Sequence, residues 1–349
     1  MRMNSGFNIP RLEHIAVWSE SIPETESFLE GVLGWKRHPV VFGVSEDNSV
    51  FGGMELAFVD ANGLWLELVQ PTTEGPGMDF LREKGNGSLV ELDFEIDDFD
   101  KNVDEMKARG IDLIGMDGEP LQGGGYLHEW VEVDGRIEQG DERLSYLPFE
   151  LARGTSIELF WEDPETGVVV RRDRDLRPEY KSPASSPRLD SVFVIGEDLE
   201  KLAAVYTEIL RLERIDVPEG LARPWMELGN SSHAWINGNS DSIWIELIAP
   251  TSSNGQAGVL STHGEGSTLE LLAEVDSIDD FHDQMSRKGI RMTGGDGVPL
   301  PDGEKAVLNA GSGDRFCYFP LDVSKGMRIM IFERGPEETS VFAKRDAAG

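Results

Sequence analysis

The chain has 349 residues, 65 of them acidic and 32 basic, for a net charge of −33. That excess of negative charge repels nucleic acid and anionic membrane surfaces, so neither is expected as a partner. The single cysteine, Cys317, excludes an intrachain disulfide, no run approaches the roughly 18 apolar residues of a membrane span, and the amino terminus lacks an apolar signal segment, so a cytoplasmic protein is expected.

In chain order, the pattern predicts a strand over 11–17 and a helix over 23–33, opened by Pro23 with Glu24 and Glu26 and closed by Gly34. Strands follow near 37–42, 52–60 and 63–70. A similar unit runs as strand 88–96, helix 98–109 closed by Gly110, and strands near 112–116, 128–134, 143–147 and 155–161. Gln122-Gly123-Gly124-Gly125 reads as a loop, with a lid or substrate contact through the following Tyr126 and His128 as the alternative. The stretch 163–187 is rich in proline, serine and alternating charge and reads as a linker. Within it Arg171, Arg172, Arg174 and Arg177 alternate with Asp173, Asp175 and Glu179, which favours a solvated connector over an anion site. The same order then restarts at 188, with helices over 198–210 and 278–288; Leu199, Leu202, Val205 and Tyr206 mark the face packed on a sheet. Cys317 lies in an aromatic strand and reads as a core thiol, and 335–349 reads as a mobile tail.

The second half repeats the first. Arg11-Leu12-Glu13-His14-Ile15-Ala16-Val17 is echoed by Arg188-Leu189-Asp190-Ser191-Val192-Phe193-Val194, Leu66-Glu67-Leu68 by Ile245-Glu246-Leu247, Leu89-Val90-Glu91 by Thr268-Leu269-Glu270, and Ile157-Glu158-Leu159 by Ile329-Met330-Ile331. The expected division is a domain over 7–162, the linker 163–187, a degenerate domain over 188–334, and the tail. The differences point to the chemistry: Ser191 stands for His14 and Met330 for Glu158, so one copy is expected to work and the other to support it.

Successive strand residues face opposite ways. On that rule Leu12, His14 and Ala16 share one face of the first strand; Trp65 and Glu67 one face of another; Leu89, Glu91, Asp93 and Glu95 oppose Val90, Leu92, Phe94 and Ile96; and Ser156, Glu158 and Phe160 oppose Ile157, Leu159 and Trp161. One histidine and three carboxylates therefore fall on the first and last strands of two units, all on the non-core face. If the strands curl around a cavity, His14, Glu67, Glu91 and Glu158 converge on a divalent cation.

The repeat, Glu67-Leu68-Val69-Gln70-Pro71, Leu33-Gly34-Trp35 and the Lys107 to Ile111 helix end resemble the vicinal oxygen chelate superfamily, which holds glyoxalase I, methylmalonyl-CoA epimerase, extradiol dioxygenases and bleomycin-resistance proteins. The first copy, including Lys84-Gly85-Asn86-Gly87, looks most like the epimerase. The resemblance implies an α+β fold of two tandem domains, four βαβββ modules forming curled mixed sheets with helices outside. It implies metal positions at His14, Glu67, Glu91 and Glu158; Glu91 departs from the family's usual histidine and is a ligand or a base. One imidazole with three carboxylates favours Mn²⁺, Co²⁺ or Mg²⁺ and lacks the two-histidine set of Fe(II) oxygen chemistry.

The expected activity is an epimerase or isomerase that removes a proton next to the carbonyl of a small-molecule substrate through a metal-stabilised enolate. Glu55 is the candidate base, with an exposed strand position as its other reading; Glu158 or Glu91 returns the proton. A glyoxalase-like lyase uses the same parts, and a non-catalytic binding protein of the bleomycin-resistance type uses aromatic walls at Trp65, Phe160, Trp244 and Phe332. In the second copy Ser191, Glu246, Glu270 and Met330 make a poor site for a hard cation, and His233 reads as structural. The fused copies are expected as a monomer or a homodimer.

Overall fold

Eight strands of the first repeat close on themselves, and their alternation decides what lies inside. In the computed structural model, which describes residues 9–46, 49–133, 136–165, 167–174, 176–216, 231–239, 243–250, 264–309 and 311–348, the elements of this repeat are β1 (Arg11–Trp18), α1 (Ile22–Phe28, extended by a π-helical turn Leu29–Leu33), β2 (Lys36–Val44), β3 (Met54–Asp60), β4 (Trp65–Pro71), α2 (Pro76–Lys84), β5 (Leu89–Glu95), α3 (Phe99–Ala108), β6 (Tyr126–Val133), β7 (Arg136–Tyr146), β8 (Ser156–Glu162) and α4 (Val168–Arg174). They form a closed barrel in the order β1-β4-β3-β2-β6-β7-β8-β5. Within each module the first strand pairs in parallel with the last, β1 with β4 and β5 with β8, and the modules join through antiparallel β1–β5 and β2–β6 pairs. Ile15, Val17, Leu66, Leu68, Leu92, Phe94, Ile157 and Leu159 point outward under the helices. Ala16, Trp18, Phe42, Leu56, Phe58, Val69, Leu144 and Phe160 line the interior.

The second repeat carries β9 (Arg188–Ile195), α5 (Leu199–Ala204, again followed by a π-helical turn, Val205–Ile209), β10 (Arg214–Asp216), β11 (Ser231–Asn237), β12 (Trp244–Pro250), β13 (Thr268–Glu274), α6 (Ile278–Arg287), β14 (Val307–Leu308), β15 (Arg315–Tyr318), β16 (Ile329–Glu333) and α7 (Val341–Ala348). Its sheet has the order β10-β11-β12-β9-β13-β16-β15-β14. The fold is thus α+β, two curled mixed sheets with helices outside. One apolar core, running from Leu12 to Ile331 and including Cys317, joins the helix-covered faces of both repeats. The repeats meet in matched pairs: Leu12 N–H donates to Gly238 O at 2.8 Å, and Leu189 N–H to Ala61 O at 2.9 Å. Gly87 abuts Gly326, and Gly154 abuts Gly266, so closely that a Cβ at any of the four would strike the other repeat's backbone. Among the described residues no helix is long and apolar enough to cross a membrane.

Several features depart from the expected pattern, among them helix α2 between the strands expected at 63–70 and 88–96. The β1–β5 ladder steps from Leu12↔Phe94 to His14↔Asp93 and from Ala16↔Glu91 to Val17↔Leu89, so Glu13 and Val90 are extra, bulged residues. Each bulge flips the alternation beyond it: Leu12 joins Ile15 and Val17 in the outer core instead of sharing His14's face, and Leu89 and Val90 exchange faces. The stretch taken for a solvated linker contains α4, where Val168, Val169 and Arg172 are buried, and the supposed mobile tail contains α7, where Val341, Phe342 and Arg345 are buried. Arg172-Asp173 and Arg345-Asp346 occupy matching places in these helices, so each repeat ends on a helix. Finally, 112–116 makes only isolated bridges from Ile114 to Pro120 and Tyr146.

Candidate metal centre

Register places the acidic residues. Across the β1–β4 and β1–β5 ladders Ala16 lies opposite both Glu67 and Glu91, and His14 lies opposite Asp93; across β5–β8, Asp93 lies opposite Glu158. All five side chains therefore enter the barrel within two levels of the ladder. Glu91, Asp93 and Glu158 each offer an oxygen within 4.8 Å of the others. His14 Nε2 sits 3.5 Å from Asp93 Oδ2 and 3.9 Å from Glu67 Oε2. The structure thus brings His14, Glu67, Glu91 and Glu158 to one cavity. It adds Asp93, a residue whose position on Glu91's face was legible in the sequence.

Three of the donors are held by neighbours. Tyr146 O–H donates to Glu158 Oε2 at 2.5 Å, and Ser156 Oγ lies 3.5 Å from Glu91 Oε1. The His14 ring packs at 5.4 Å from Phe58 and 5.3 Å from Phe160, while its Nδ1 lies 2.7 Å from Glu13 Oε2. Glu13 in turn accepts from Arg172 Nη2 at 2.5 Å, and that guanidinium stacks over Phe58 and Trp65 at 4.6 and 4.2 Å.

The electrostatics separate two kinds of carboxylate. Burial alone would raise Glu13, but Arg172 and the bonded His14 overcome it and hold Glu13 well below the usual carboxylate range. Burial lowers His14, against the pull of Glu13. The cluster behaves oppositely: burial and then Glu158 push Glu91 up to about 8, and burial pushes Glu158 to about 7 against the Tyr146 hydrogen bond. Glu67 and Asp93 are raised well above normal by burial and by surrounding carboxylates. Asp93 Oδ2 is buried without a hydrogen-bond partner among the described residues. Stacked buried carboxylates require protons or a cation. One imidazole nitrogen and as many as four carboxylates suit a hard divalent ion.

The cavity encloses about 660 Å³ of atom-free space, its mouth included, and is lined by His14, Glu67, Glu91, Glu129, Glu142, Tyr146, Glu158 and Glu162 among apolar side chains. Burial followed by Glu129 and Glu158 raises Glu142 well above normal. Glu162 is pushed to about 7 by burial, although it accepts the Val169 and Val170 N–H groups.

Glu55 is not brought to this cavity. Alternation along β3 sends Met54, Leu56 and Phe58 inward and Glu55 outward, toward Glu26 of α1. Tyr126 and His128 belong to β6 and are exposed, with His128 Nδ1 3.1 Å from Gln139. In the second repeat the expected equivalents Ser191, Glu246, Glu270 and Met330 are buried, and His233 pairs with Glu246 at 3.1 Å.

Residues 13–127 match the family model described as the Glyoxalase/Bleomycin resistance protein/Dioxygenase superfamily. Among solved structures, the chain is similar to a mutant of 4-hydroxymandelate synthase from Streptomyces coelicolor, with 13% identity, a TM-score of 0.54, and coverage of 97% of this chain and 99% of that one. It is also similar to the Mn(II)-bound glyoxalase from Novosphingobium aromaticivorans, with 13% identity, a TM-score of 0.47, and coverage of 94% and 84%. Methylmalonyl-CoA epimerase from Mycobacterium tuberculosis is 18% identical over 46% of this chain and 91% of that one, with a TM-score of 0.34. No curated protein matches the chain in sequence. At these identities the structural similarity speaks to fold alone.

Proposed function

From the match of residues 13–127 to the glyoxalase, bleomycin resistance protein and dioxygenase superfamily, we propose that the chain is a divalent-metal enzyme that moves a proton next to the carbonyl of a small-molecule substrate, as an epimerase or isomerase does. The observation that carries this reading is the group of Glu67, Glu91, Asp93 and Glu158 around His14, a set of largely buried carboxylates that among the described residues meets no lysine or arginine side chain.

His14, Glu67, Glu158 and one or both of Glu91 and Asp93 would hold Mn²⁺, Co²⁺ or Mg²⁺. Such an ion supplies Lewis acidity that acidifies the hydrogen beside a bound carbonyl. The remaining work falls to the chain. Tyr146 orients Glu158 through its hydroxyl. Glu142, which enters the same cavity from β7 outside the ligand cluster, takes the role first expected of Glu55: its carboxylate oxygen accepts the proton, and its buried acid form returns one. The apolar wall of Phe42, Phe51, Phe58 and Val69 excludes water from the exchange. A single imidazole among carboxylates departs from the two-histidine, one-carboxylate set of non-haem Fe(II) oxygenases, which favours proton transfer over oxygen insertion.

The test is elemental analysis of the purified protein after incubation with Mn²⁺ or Co²⁺, followed by proton exchange of carbonyl compounds in deuterium oxide. Expected are about one ion per chain, lost in His14→Ala and Glu158→Ala, and exchange that stops in Glu142→Gln while the ion is kept. A native protein that takes up no divalent ion would overturn the reading and leave small-molecule binding as the function; irreversible product formation in place of exchange would indicate a lyase.

A further inference from the structure

We propose that Arg172, on the helix that ends the first repeat, is a positioning residue for the metal-binding histidine, acting through Glu13. This inference rests on the metal reading of the barrel. It begins with the bulge at Glu13. In a regular strand Glu13 would point away from His14; as the extra residue of the β1–β5 ladder it turns into the barrel wall, 3% exposed, where its carboxylate meets two groups at once. One oxygen lies 2.7 Å from His14 Nδ1 and the other 2.5 Å from Arg172 Nη2. With Glu13 ionised, Nδ1 carries the proton, and the lone pair of Nε2 faces Glu67 and Asp93. Arg172 fixes the far end of the chain of contacts: it is 0% exposed, clamped over Phe58 and Trp65, and also bonded to Asp173.

The second repeat separates positioning from mere packing. It has the same bulge at Asp190, the same arginine, Arg345, on the same terminal helix, two contacts of 2.7 Å between them, and a guanidinium over Trp244 at 4.8 Å. The neighbour there is Ser191, whose hydroxyl has no hydrogen-bond partner among the described residues. The arginine–carboxylate lock is thus common to both repeats, whereas the extension to a histidine occurs only in the first. Side-chain length follows the same division. The longer Glu13 bridges arginine and imidazole, and the shorter Asp190 serves its arginines alone.

The lock also couples α4 to the site. Val168 and Val169 of that helix line the cavity, and their segment is tied down by Glu162. The helix that closes the barrel is therefore the one that sets its histidine.

The experiment measures Mn²⁺ affinity by titration calorimetry, and the Co²⁺ absorption spectrum, for the full-length native chain and for Arg172→Gln, Arg345→Gln and Glu13→Asp. Arg172→Gln is expected to weaken Mn²⁺ binding about 10–100-fold and to change the Co²⁺ spectrum, as loss of an outer contact to a ligand histidine does. Arg345→Gln is expected to lower the melting temperature comparably and leave affinity and spectrum as in the native protein. Glu13→Asp reproduces the second repeat's arrangement, so it should keep the fold and the arginine pair yet lose about 10-fold in affinity. That variant decides the matter if Arg172→Gln does not fold. Native-like affinity and spectrum in Glu13→Asp, or equal losses in the Arg172 and Arg345 variants, would overturn the positioning role while the metal reading stands. Absence of any ion in the native protein would instead overturn the metal reading.

Discussion

The two repeats solve one electrostatic problem in two ways. Both turn glutamates inward at matching ladder positions, Glu67 and Glu91, partly buried, in the first and Glu246 and Glu270, fully buried, in the second. In the second, the chain itself supplies the partners: His233 Nδ1 lies 3.1 Å from Glu246 Oε1, and Arg328 Nε donates to Glu270 at 2.9 Å with Tyr318 O–H at 3.2 Å. The matching residues in the first repeat are the neutral Leu56 and Ser156. The first repeat further replaces Leu272 by Asp93, Met330 by Glu158 and Ser191 by His14, while the second fills its interior with Phe193, where the first has Ala16, and with Phe316, Phe332 and Phe342. One fold therefore holds either a self-neutralised, packed interior or an acidic cavity that calls for an external cation. What differs is a handful of side chains on shared ladder positions.

The largest expected effect comes from erasing this difference. Leu56→His with Ser156→Arg gives the first repeat the second's internal partners, and Mn²⁺ uptake measured by elemental analysis should fall at least about 100-fold while thermal stability of the metal-free chain rises. The converse change, Arg328→Ser, strands a buried glutamate, and urea unfolding should show a loss of about 3–5 kcal/mol without any gain of metal, because Ser191 and Met330 remain.

pH gives a middle-sized effect. A carboxyl whose pKa rises on folding holds a proton more tightly in the native state, so the stability it contributes is complete below its unfolded value and declines as the pH rises through its folded one. For Glu162, raised from 4.5 to about 7, the decline spans that window and amounts to about 3 kcal/mol; Glu91 and Glu158 act in the same direction. The melting temperature of the metal-free chain should therefore drop between pH 5 and pH 8 in calorimetry, and saturating Mn²⁺ should flatten that drop. A chain that gains stability over this interval would count against protonated carboxyls in the cavity. The smallest effect is expected at Glu55→Gln, where a half-exposed outward side chain should change stability by no more than about 0.5 kcal/mol and leave both metal uptake and proton exchange untouched.

The sequence by itself determined the duplication, the strand–helix–strand opening of each unit, and the inward face that joins His14, Glu67, Glu91 and Glu158, because a two-residue period and a repeated landmark are local properties of a chain. Asp93 was legible on the same ground, one step along Glu91's face. The outward side of Glu55 follows from the same rule, with Leu56 and Phe58 as its inward neighbours. Only the tertiary structure decided the rest. The bulges at Glu13 and Val90 are properties of the pairing between β1 and β5, and a single strand's pattern carries no trace of them. The terminal helices were hidden for a similar reason. Arg172 sits in a run of alternating charge that locally looks like a solvated connector, and its buried partner, Glu13, lies 159 residues away. A charge in sequence is solvated by default; it becomes interior only where folding delivers a counter-charge, and that delivery is a long-range event.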